Sequence, residues 1–386
     1  MNSISRLQQV LQGVPRGAFK NVVDSHNGNR HLKRFGCWDQ LVAMLYVQLS
    51  GTSSLRQLEA GFNAHANQHY HLGTRCVRRS TLADANKKRS PLIFAQLLQM
   101  LMQQAGRSIR AQREELLYLI DASTVQLPST CKELRGHASA QGNHGVKLHL
   151  LLESGSAAVA GASITPANVN DITEGRKIAI EPGATYVFDK GYCHYNWWHS
   201  IDQTGARWVT RFKKDAALKL LSERPVNEQD SKIVSDSIVA FALRTPRGGH
   251  RNSYSSALRR IEVARPDAAP LVLATNDLST APEEIAQLYK QRWQIELFFK
   301  WVKQHLQIRR FLGHNENAVR IQLLTALIAY MLVLLLKKAT AVPDSMWMLL
   351  AQLRATLFQR QRTEQSYWRR RRAQDAHFAA VQPRLL

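Results

Sequence analysis

Acidic side chains are scarce in this sequence. Asp and Glu number 29 against 52 Lys and Arg, a formal charge of +23 over 386 residues. The imbalance points to a polyanionic partner, because phosphates release counterions when basic side chains meet them. A basic protein with no such partner is the plainer alternative. Cysteines are few and never close together: Cys37, Cys76, Cys131 and Cys193 form no CxxC pair, so neither a zinc ribbon nor a disulfide framework is indicated and a reducing compartment suits them. No charged–apolar–small signal pattern opens the chain. No apolar run reaches the ~20 residues of a membrane span. The longest, IQLLTALIAYMLVLLL at 321–336, contains Gln322 and Thr325 and reads as a buried core helix. The expected location is the cytoplasm, with no membrane partner.

What is present is enough for two or three domains with a core, since 45% of the residues are hydrophobic. The positive charge gathers at both ends. Residues 1–110 carry 15 basic and 4 acidic side chains, and residues 337–386 carry 10 basic and 3 acidic. Polyanion contact is therefore expected at the ends, with a different task in the middle.

Residues 1–110 read as helical. CWDQLVAMLYVQLS (37–50) has helical apolar spacing, Gly51 and Thr52 follow, and SSLRQLEAGF (53–62) resumes the period. This is compatible with a DNA-reading helix-turn-helix and equally with an ordinary helical hairpin. Ser80 is expected to cap a helix over 80–89. Lys87, Lys88 and Arg89 near its end offer three cations for phosphates.

From residue 116 the texture changes to short apolar runs bounded by Gly and polar residues. LLYLI (116–120), KLHLLLE (147–153), AVAGASI (158–164), ATYVF (184–188) and RWVTR (207–211) are strand candidates, while 171–180 and 196–204 read as helices. The pattern implies a mixed sheet with helices on its faces. Residues 212–280 show little helical periodicity and include IVAFALRTP (238–246), RRIEVAR (259–265) and LVLATN (271–276), which suggests a β-rich insertion. Helical periodicity returns at 282–308 and 319–338. The tail carries RRRR at 369–372, a solvated or DNA-contacting segment. The expected divisions are 1–110, a helical DNA-binding domain; 111–211 and 281–338, two parts of a catalytic core; 212–280, the insertion; and 339–386, a basic C-terminal region.

Two carboxylates follow buried apolar runs directly, LLYLI-Asp121 and ATYVF-Asp189. A charge there costs desolvation unless it is compensated, and the carboxyl ends of sheet strands are where ligands and metals bind. A third carboxylate lies in LYKQRWQIELFFKWVKQHLQ (288–307). At about 100° per residue, Tyr289, Arg292, Glu296 and Lys303 fall within an arc of roughly 60°, beside an apolar face of Ile295, Phe298, Phe299, Val302 and Leu306. Glu296 is thus flanked by two cations and a phenol. By geometry alone the stripe also reads as a surface ion-pair row, with Glu296 pairing Arg292.

These motifs together resemble the insertion-sequence-four family of DDE transposases, bacterial cut-and-paste enzymes with a ribonuclease-H-like core. That family's signature places Tyr, Arg, Glu and Lys with two, three and six residues between them, as Tyr289, Arg292, Glu296 and Lys303 stand here. LIDASTVQLP (119–128), VFDKGY (187–192), WVTRFK (208–213), KLHLLLE with ITPANVND (164–171), and STLADANKKR (80–89) match further segments. The resemblance covers most of residues 30–338. It implies an α/β, ribonuclease-H-like mixed sheet with helices on both faces, a β-rich insertion before the last catalytic helix, and a helical N-terminal DNA-binding domain. In some relatives a Trp of the insertion stacks a flipped base. This sequence has no Trp between Trp208 and Trp293, which leaves Tyr254 or Phe241 for that role.

The resemblance further implies that Asp121, Asp189 and Glu296 are catalytic and hold two Mg²⁺ or Mn²⁺ ions, since oxygen ligands suit hard divalent cations and no His/Cys cluster argues for zinc. It implies metal-dependent cleavage of double-stranded DNA at terminal inverted repeats, a hairpin intermediate, and strand transfer into target DNA by a homodimer synapsed on DNA in the bacterial nucleoid. Tyr289, Arg292 and Lys303, with Lys87, Lys88 and Arg89, are the expected DNA contacts. Two other readings stay open: a ribonuclease-H-like nuclease that cuts without strand transfer, and a transposon-derived DNA-binding protein without catalysis.

Overall fold

The computed structural model describes residues 4–32, 34–112, 115–128, 130–131, 144–226, 232–242, 251–266, 268–341 and 343–359. The RRRR run at 369–372 lies outside the described residues. The chain divides into two compact units. The first comprises Met1–Leu97, Arg310–Gly313 and Asn317–Leu386, and the second Leu98–Arg309 and His314–Glu316.

In chain order the helices and strands are α1 (Arg6–Gln12), α2 (Arg16–Ser25), α3 (Cys37–Ser50), α4 (Leu55–Asn63), α5 (His69–Leu72), α6 (Arg79–Lys88), α7 (Leu92–Arg110), β1 (Leu117–Gln126), β2 (Gly145–Glu153), β3 (Ala158–Pro166), α8 (Asp171–Gly175), β4 (Thr185–Phe188), α9 (Tyr195–Gln203), β5 (Arg207–Arg211), β6 (Leu218–Glu223), β7 (Ile233–Phe241), β8 (Leu258–Arg265), β9 (Ala268–Thr275), α10 (Pro282–Gln291), α11 (Trp293–His305), α12 (Glu316–Thr340) and α13 (Met346–Thr356).

The first unit is helical. α3 is buried from Cys37 to Leu49 with little interruption, and the carboxylate of Asp39 accepts the Gly36 N–H at 2.8 Å to close its start. Gly51, at φ 77°, ends it in the left-handed region where glycine pays no Cβ penalty. The Ser54 hydroxyl then accepts the Gln57 N–H at 3.2 Å and caps α4. The expected helix–turn–helix is therefore present as backbone geometry. Ser80 does not cap α6. The helix already begins at Arg79, whose N–H is taken by the Glu59 carboxylate at 3.2 Å, so an acceptor from α4 replaces a local cap.

α12 is long and apolar enough to cross a membrane by length and composition, yet it is buried along Ala318–Leu334 apart from Arg320. Gln322 and Thr325, the two polar residues noted in its apolar run, are satisfied inside. The Gln322 amide donates to the Arg310 carbonyl at 2.7 Å and accepts the Leu312 N–H at 2.9 Å, and the Thr325 hydroxyl donates to the Ile321 carbonyl at 2.8 Å. A buried polar group with a partner costs little, which is how both are tolerated in an apolar helix.

The second unit is built on one nine-stranded sheet in the order β3-β2-β1-β4-β5-β9-β8-β7-β6. β1, β4 and β5 run parallel, and β2 is antiparallel to both β1 and β3. This first half is the ribonuclease-H-like arrangement. The insertion adds an antiparallel meander, β6 to β9, to the edge of the same sheet through β5 and β9. β6 has no counterpart in the sequence expectations, because its LKLLSE is almost wholly exposed and shows no buried alternation.

Alternation along the strands assigns the two faces. Tyr118, Ile120, Tyr186, Phe188 and Trp208 enter an aromatic core with Trp197, Trp198 and Ile201 of α9. Leu119, Val187 and Val209 are buried on the other face, toward which α10 and α11 pack. α8 is shorter than the helix expected over 171–180. Gly175 lies so close under Tyr192 that a Cβ would meet its ring at 2.9 Å, and Ile178 and Ile180 turn onto the aromatic core instead of continuing the helix.

One ion pair braces the insertion. Arg259 is 0% exposed and grips Asp236 with Nε at 2.8 Å and Nη2 at 2.7 Å, joining β8 to β7. Removing Asp236 leaves the Arg259 charge buried without its carboxylate. Asp236→Ala is expected to cost about 3–5 kcal/mol in urea unfolding, whereas Asp236→Leu with Arg259→Met recovers most of it. A single substitution within about 0.5 kcal/mol of the parent would show that the pair does not brace the sheet.

Candidate active site

The parallel registers bring three charged side chains to one line. Leu119 pairs with Val187, and Val187 with Val209. Two residues further along each strand direction stand Asp121, Asp189 and Arg211, on the same face as those apolar partners. Neighbouring strands lie about 4.8 Å apart, so the three side chains are neighbours. Asp121 is not at the end of its strand, as its apolar run suggested. β1 continues to Gln126 because β2 keeps pairing with it, and only the parallel partner β4 stops, at Phe188. Asp189 accepts the Gly191 N–H and takes Arg211 Nη2 at 3.3 Å. Asp121 accepts the Ala122 N–H at 2.8 Å.

The helix bearing Glu296 covers this line. The single helix expected over 288–307 is divided at Arg292, where α10 ends and α11 begins. The Arg292 N–H bonds the Tyr289 carbonyl at 3.1 Å and the Ile295 N–H bonds the Arg292 carbonyl at 3.2 Å, a tightened i to i+3 turn. Arg292 Nη2 lies 2.6 Å from Glu296 Oε1, and Nη1 lies 3.9 Å from Asp121 Oδ2. The Tyr289 ring has two guanidiniums near it, Arg211 at 6.0 Å and Arg292 at 5.8 Å from its centroid. Lys303 donates to the Ser123 hydroxyl at 2.6 Å. Asp121, Asp189, Glu296, Tyr289, Arg292 and Lys303 are thus brought to one region.

Burial governs the electrostatics. The side chain of Asp121 is 21% exposed, and desolvation pushes its pKa up to about 6. The Ala122 N–H and Arg292 oppose the shift, while Glu296 and Asp189 add to it. Burial also works against the charge of Arg292, but Tyr289, Glu296 and Asp121 outweigh it and raise its pKa. Lys303 is lowered by burial and then by Arg309. The donor chemistry of three carboxylates fits a hard divalent cation. As placed, however, no three His, Cys, Asp or Glu among the described residues close on a common metal position; a guanidinium stands between Asp121 and Glu296.

Several neighbours were not picked out from the sequence. In the sequence Arg211 closes a strand candidate and falls in the WVTRFK segment, and its role as the partner of Asp189 needs the register of β4 against β5. Asp171 was read as a helix start. It takes Lys147 Nζ at 2.8 Å, and a Cβ on Gly191 would lie 3.3 Å from Asp189 and 3.8 Å from Asp171, so the chain threads closely past both carboxylates. Tyr192 has a buried hydroxyl, and burial, Asp171, Asp121 and Asp189 all raise its pKa.

Other expected contacts fare differently. Lys87 and Lys88 are exposed at the end of α6. Arg89 is buried, donating to the carbonyls of Phe35 and Gly36 and to Gln40 Oε1, so it braces its own unit and does not offer charge to phosphates. Tyr254 is buried in the aromatic core and Phe241 packs on Tyr195 at 4.1 Å, so neither is free to stack a base. Trp293, beside Arg292, is 58% exposed.

A family model described as Transposase DDE domain matches residues 112–332, more than half of the chain. The chain belongs to the DDE transposase family. A second model, described as Domain of unknown function (DUF4372), matches residues 2–75 of this transposase. The transposase is 42% identical over 255 residues to a Sinorhizobium fredii protein bearing the transposase name y4zB, a match covering 65% of this chain and 69% of that one. It is 25% identical over 262 residues to a Synechocystis protein named as a transposase for insertion sequence element IS4SA, covering 67% and 71%. A solved structure of piggyBac transposase in a synaptic complex with hairpin DNA aligns with 100% of this chain and 87% of that one, at 10% identity and a TM-score of 0.47.

The raised pKa of Asp121 makes a prediction about the transposase that needs no DNA. The folded state holds this proton up to about pH 6, and an ordinary Asp releases it near 3.8. The resulting stability is complete below pH 4 and is lost as pH rises through 6, by about 3 kcal/mol. In metal-free buffer, Asp121→Asn is expected to melt close to the parent at pH 4 and several degrees above it at pH 8. A variant less stable than the parent at pH 8 would contradict desolvation as the dominant cause.

Proposed function

We propose that Asp121, Asp189 and Glu296 hold two Mg²⁺ or Mn²⁺ ions and that the transposase uses them to cut double-stranded DNA at insertion-sequence ends and to join the freed 3′ ends to target DNA. The observation that carries this reading is the in-register placement of Asp121 and Asp189 on adjacent parallel strands, under the helix that bears Glu296. Paired divalent ions supply charge stabilisation to both the attacking and the leaving oxygens of an in-line phosphoryl displacement.

The protein side chains do the rest. Arg211 and Arg292 each have a buried Nε without an acceptor among the described residues, and both guanidiniums lie near the Tyr289 ring. A phosphate oxygen would satisfy such donors, and a guanidinium grips phosphate bidentately. Lys303, held toward β1 through Ser123, adds a point charge on the same face. A hairpin intermediate fits the resemblance to the insertion-sequence-four family, because a bent strand needs several cationic contacts to hold its end. End recognition is assigned to the helical region 1–110 with Lys87 and Lys88, and two ends brought together call for a homodimer on DNA. The work is done at the nucleoid.

With an end-labelled transposon-end duplex and a pre-cleaved duplex as separate substrates, Glu296→Gln is expected to lower both nicking and strand transfer by roughly 10³-fold or more, and excess EDTA to do the same. Cleavage that survives EDTA would overturn the metal reading. Metal-dependent cleavage by the parent without joining of the pre-cleaved end would favour the plain nuclease.

A further inference from the structure

The carboxylates of the site are already answered by an internal cation. Arg292 is 15% exposed, lies 2.6 Å from Glu296 and 3.9 Å from Asp121, and so spans two of the three carboxylates. In this arrangement no three acidic side chains among the described residues converge on a metal position. A guanidinium between two carboxylates and a divalent cation between the same two are mutually exclusive. They compete for the same oxygens, and a positive charge that stayed at that distance would repel the incoming ion.

Arg292 is also incompletely bonded where it sits. Its Nε is buried without an acceptor among the described residues, as is that of Arg211, whose guanidinium also lies near the Tyr289 ring. The side chain therefore has an unmet hydrogen-bond direction that its carboxylate partners do not serve. A phosphate oxygen bound by the Arg292 guanidinium would serve it, and would draw the guanidinium away from Glu296. Arg292 also stands at the join of α10 and α11, where i to i+3 bonds replace regular helical ones. Its backbone is thus set by the turn and not by the helix on either side.

We propose that Arg292 is a displaceable counter-cation. It holds Asp121 and Glu296 while the site is free of metal. It must release them before divalent cations settle, and it then serves as the phosphate grip. Metal entry and phosphate capture favour one another, because each removes Arg292 from the position the other needs vacated, and such coupling is reciprocal. Arg292 is in this sense a positioning residue for the metal as well as a DNA contact. The inference rests on the reading of Asp121, Asp189 and Glu296 as metal ligands.

The test is Mn²⁺ binding to the full chain without DNA, read from the loss of the free-ion signal in electron paramagnetic resonance. Arg292→Gln keeps polarity and removes charge, and is expected to bind Mn²⁺ about tenfold more tightly than the parent. Arg292→Lys keeps the charge and is expected to stay within about twofold of the parent. Arg292→Ala replaces Arg292→Gln should the latter fail to fold by circular dichroism. Mn²⁺ affinity unchanged or weakened on removing the charge would overturn the proposal. Asp121→Asn separates the two claims. Loss of saturable Mn²⁺ binding in that variant supports the metal site itself, and unchanged binding there would defeat the metal reading and this inference with it.

Discussion

Crowding of negative charge over the edge of a buried core is the constraint on which the rest of this site depends. Asp121 and Asp189 emerge side by side from parallel strands whose preceding residues are buried, with Asp171 close to Asp189 and Glu296 near Asp121 through Arg292. Burial raises the cost of the ionised Asp121 carboxylate, and Glu296 and Asp189 add to it. The fold answers with cations on nearly every side: Arg211 on Asp189, Arg292 on Asp121 and Glu296, and Lys147 on Asp171. Three cations thus answer four carboxylates, and one of them, Arg292, stands where a different cation could take its place.

The scaffold that holds this cluster is stiff for reasons visible in its residues. The face of the sheet away from the site is filled by Trp197, Trp198, Trp208, Phe188 and Tyr186, with the Trp198 and Trp208 rings 4.5 Å apart. Large aromatic rings packed at this density fix the register of β1, β4 and β5. Register in turn fixes the side chains on the other face, since a one-residue slip would carry Asp121 or Asp189 into the aromatic core. The insertion extends the same sheet and anchors to it through β9, with Arg259 and Asp236 as its internal brace.

Much of this was legible in the sequence because buried parallel strands are written as short apolar runs, and LLYLI and ATYVF are such runs. The stripe of Tyr289, Arg292, Glu296 and Lys303 was legible from period alone, and so was the pairing of Arg292 with Glu296. Features set by hydrogen bonding rather than by side-chain type were not legible. β1 runs on past Asp121 because β2 accompanies it, although Ser123 and Thr124 look like loop. The break at Arg292 changes two backbone hydrogen bonds and hardly disturbs the apolar period. Arg89 closes a basic run that reads as three cations for phosphates, yet its guanidinium turns inward to carbonyls at the start of α3. Arg211 became visible as part of the site only once β5 was in register with β4. The period of α12 announced a buried helix without saying which unit it joins.

The account stands on the three carboxylates sharing divalent cations. The most direct measurement is the anomalous difference density of Mn²⁺ in crystals of the transposase bound to DNA. The account predicts peaks within roughly 2.0–2.3 Å of oxygens from Asp121, Asp189 and Glu296, with the Arg292 guanidinium withdrawn from Glu296. Mn²⁺ found elsewhere, or at the site with Arg292 still bridging Asp121 and Glu296, would contradict it.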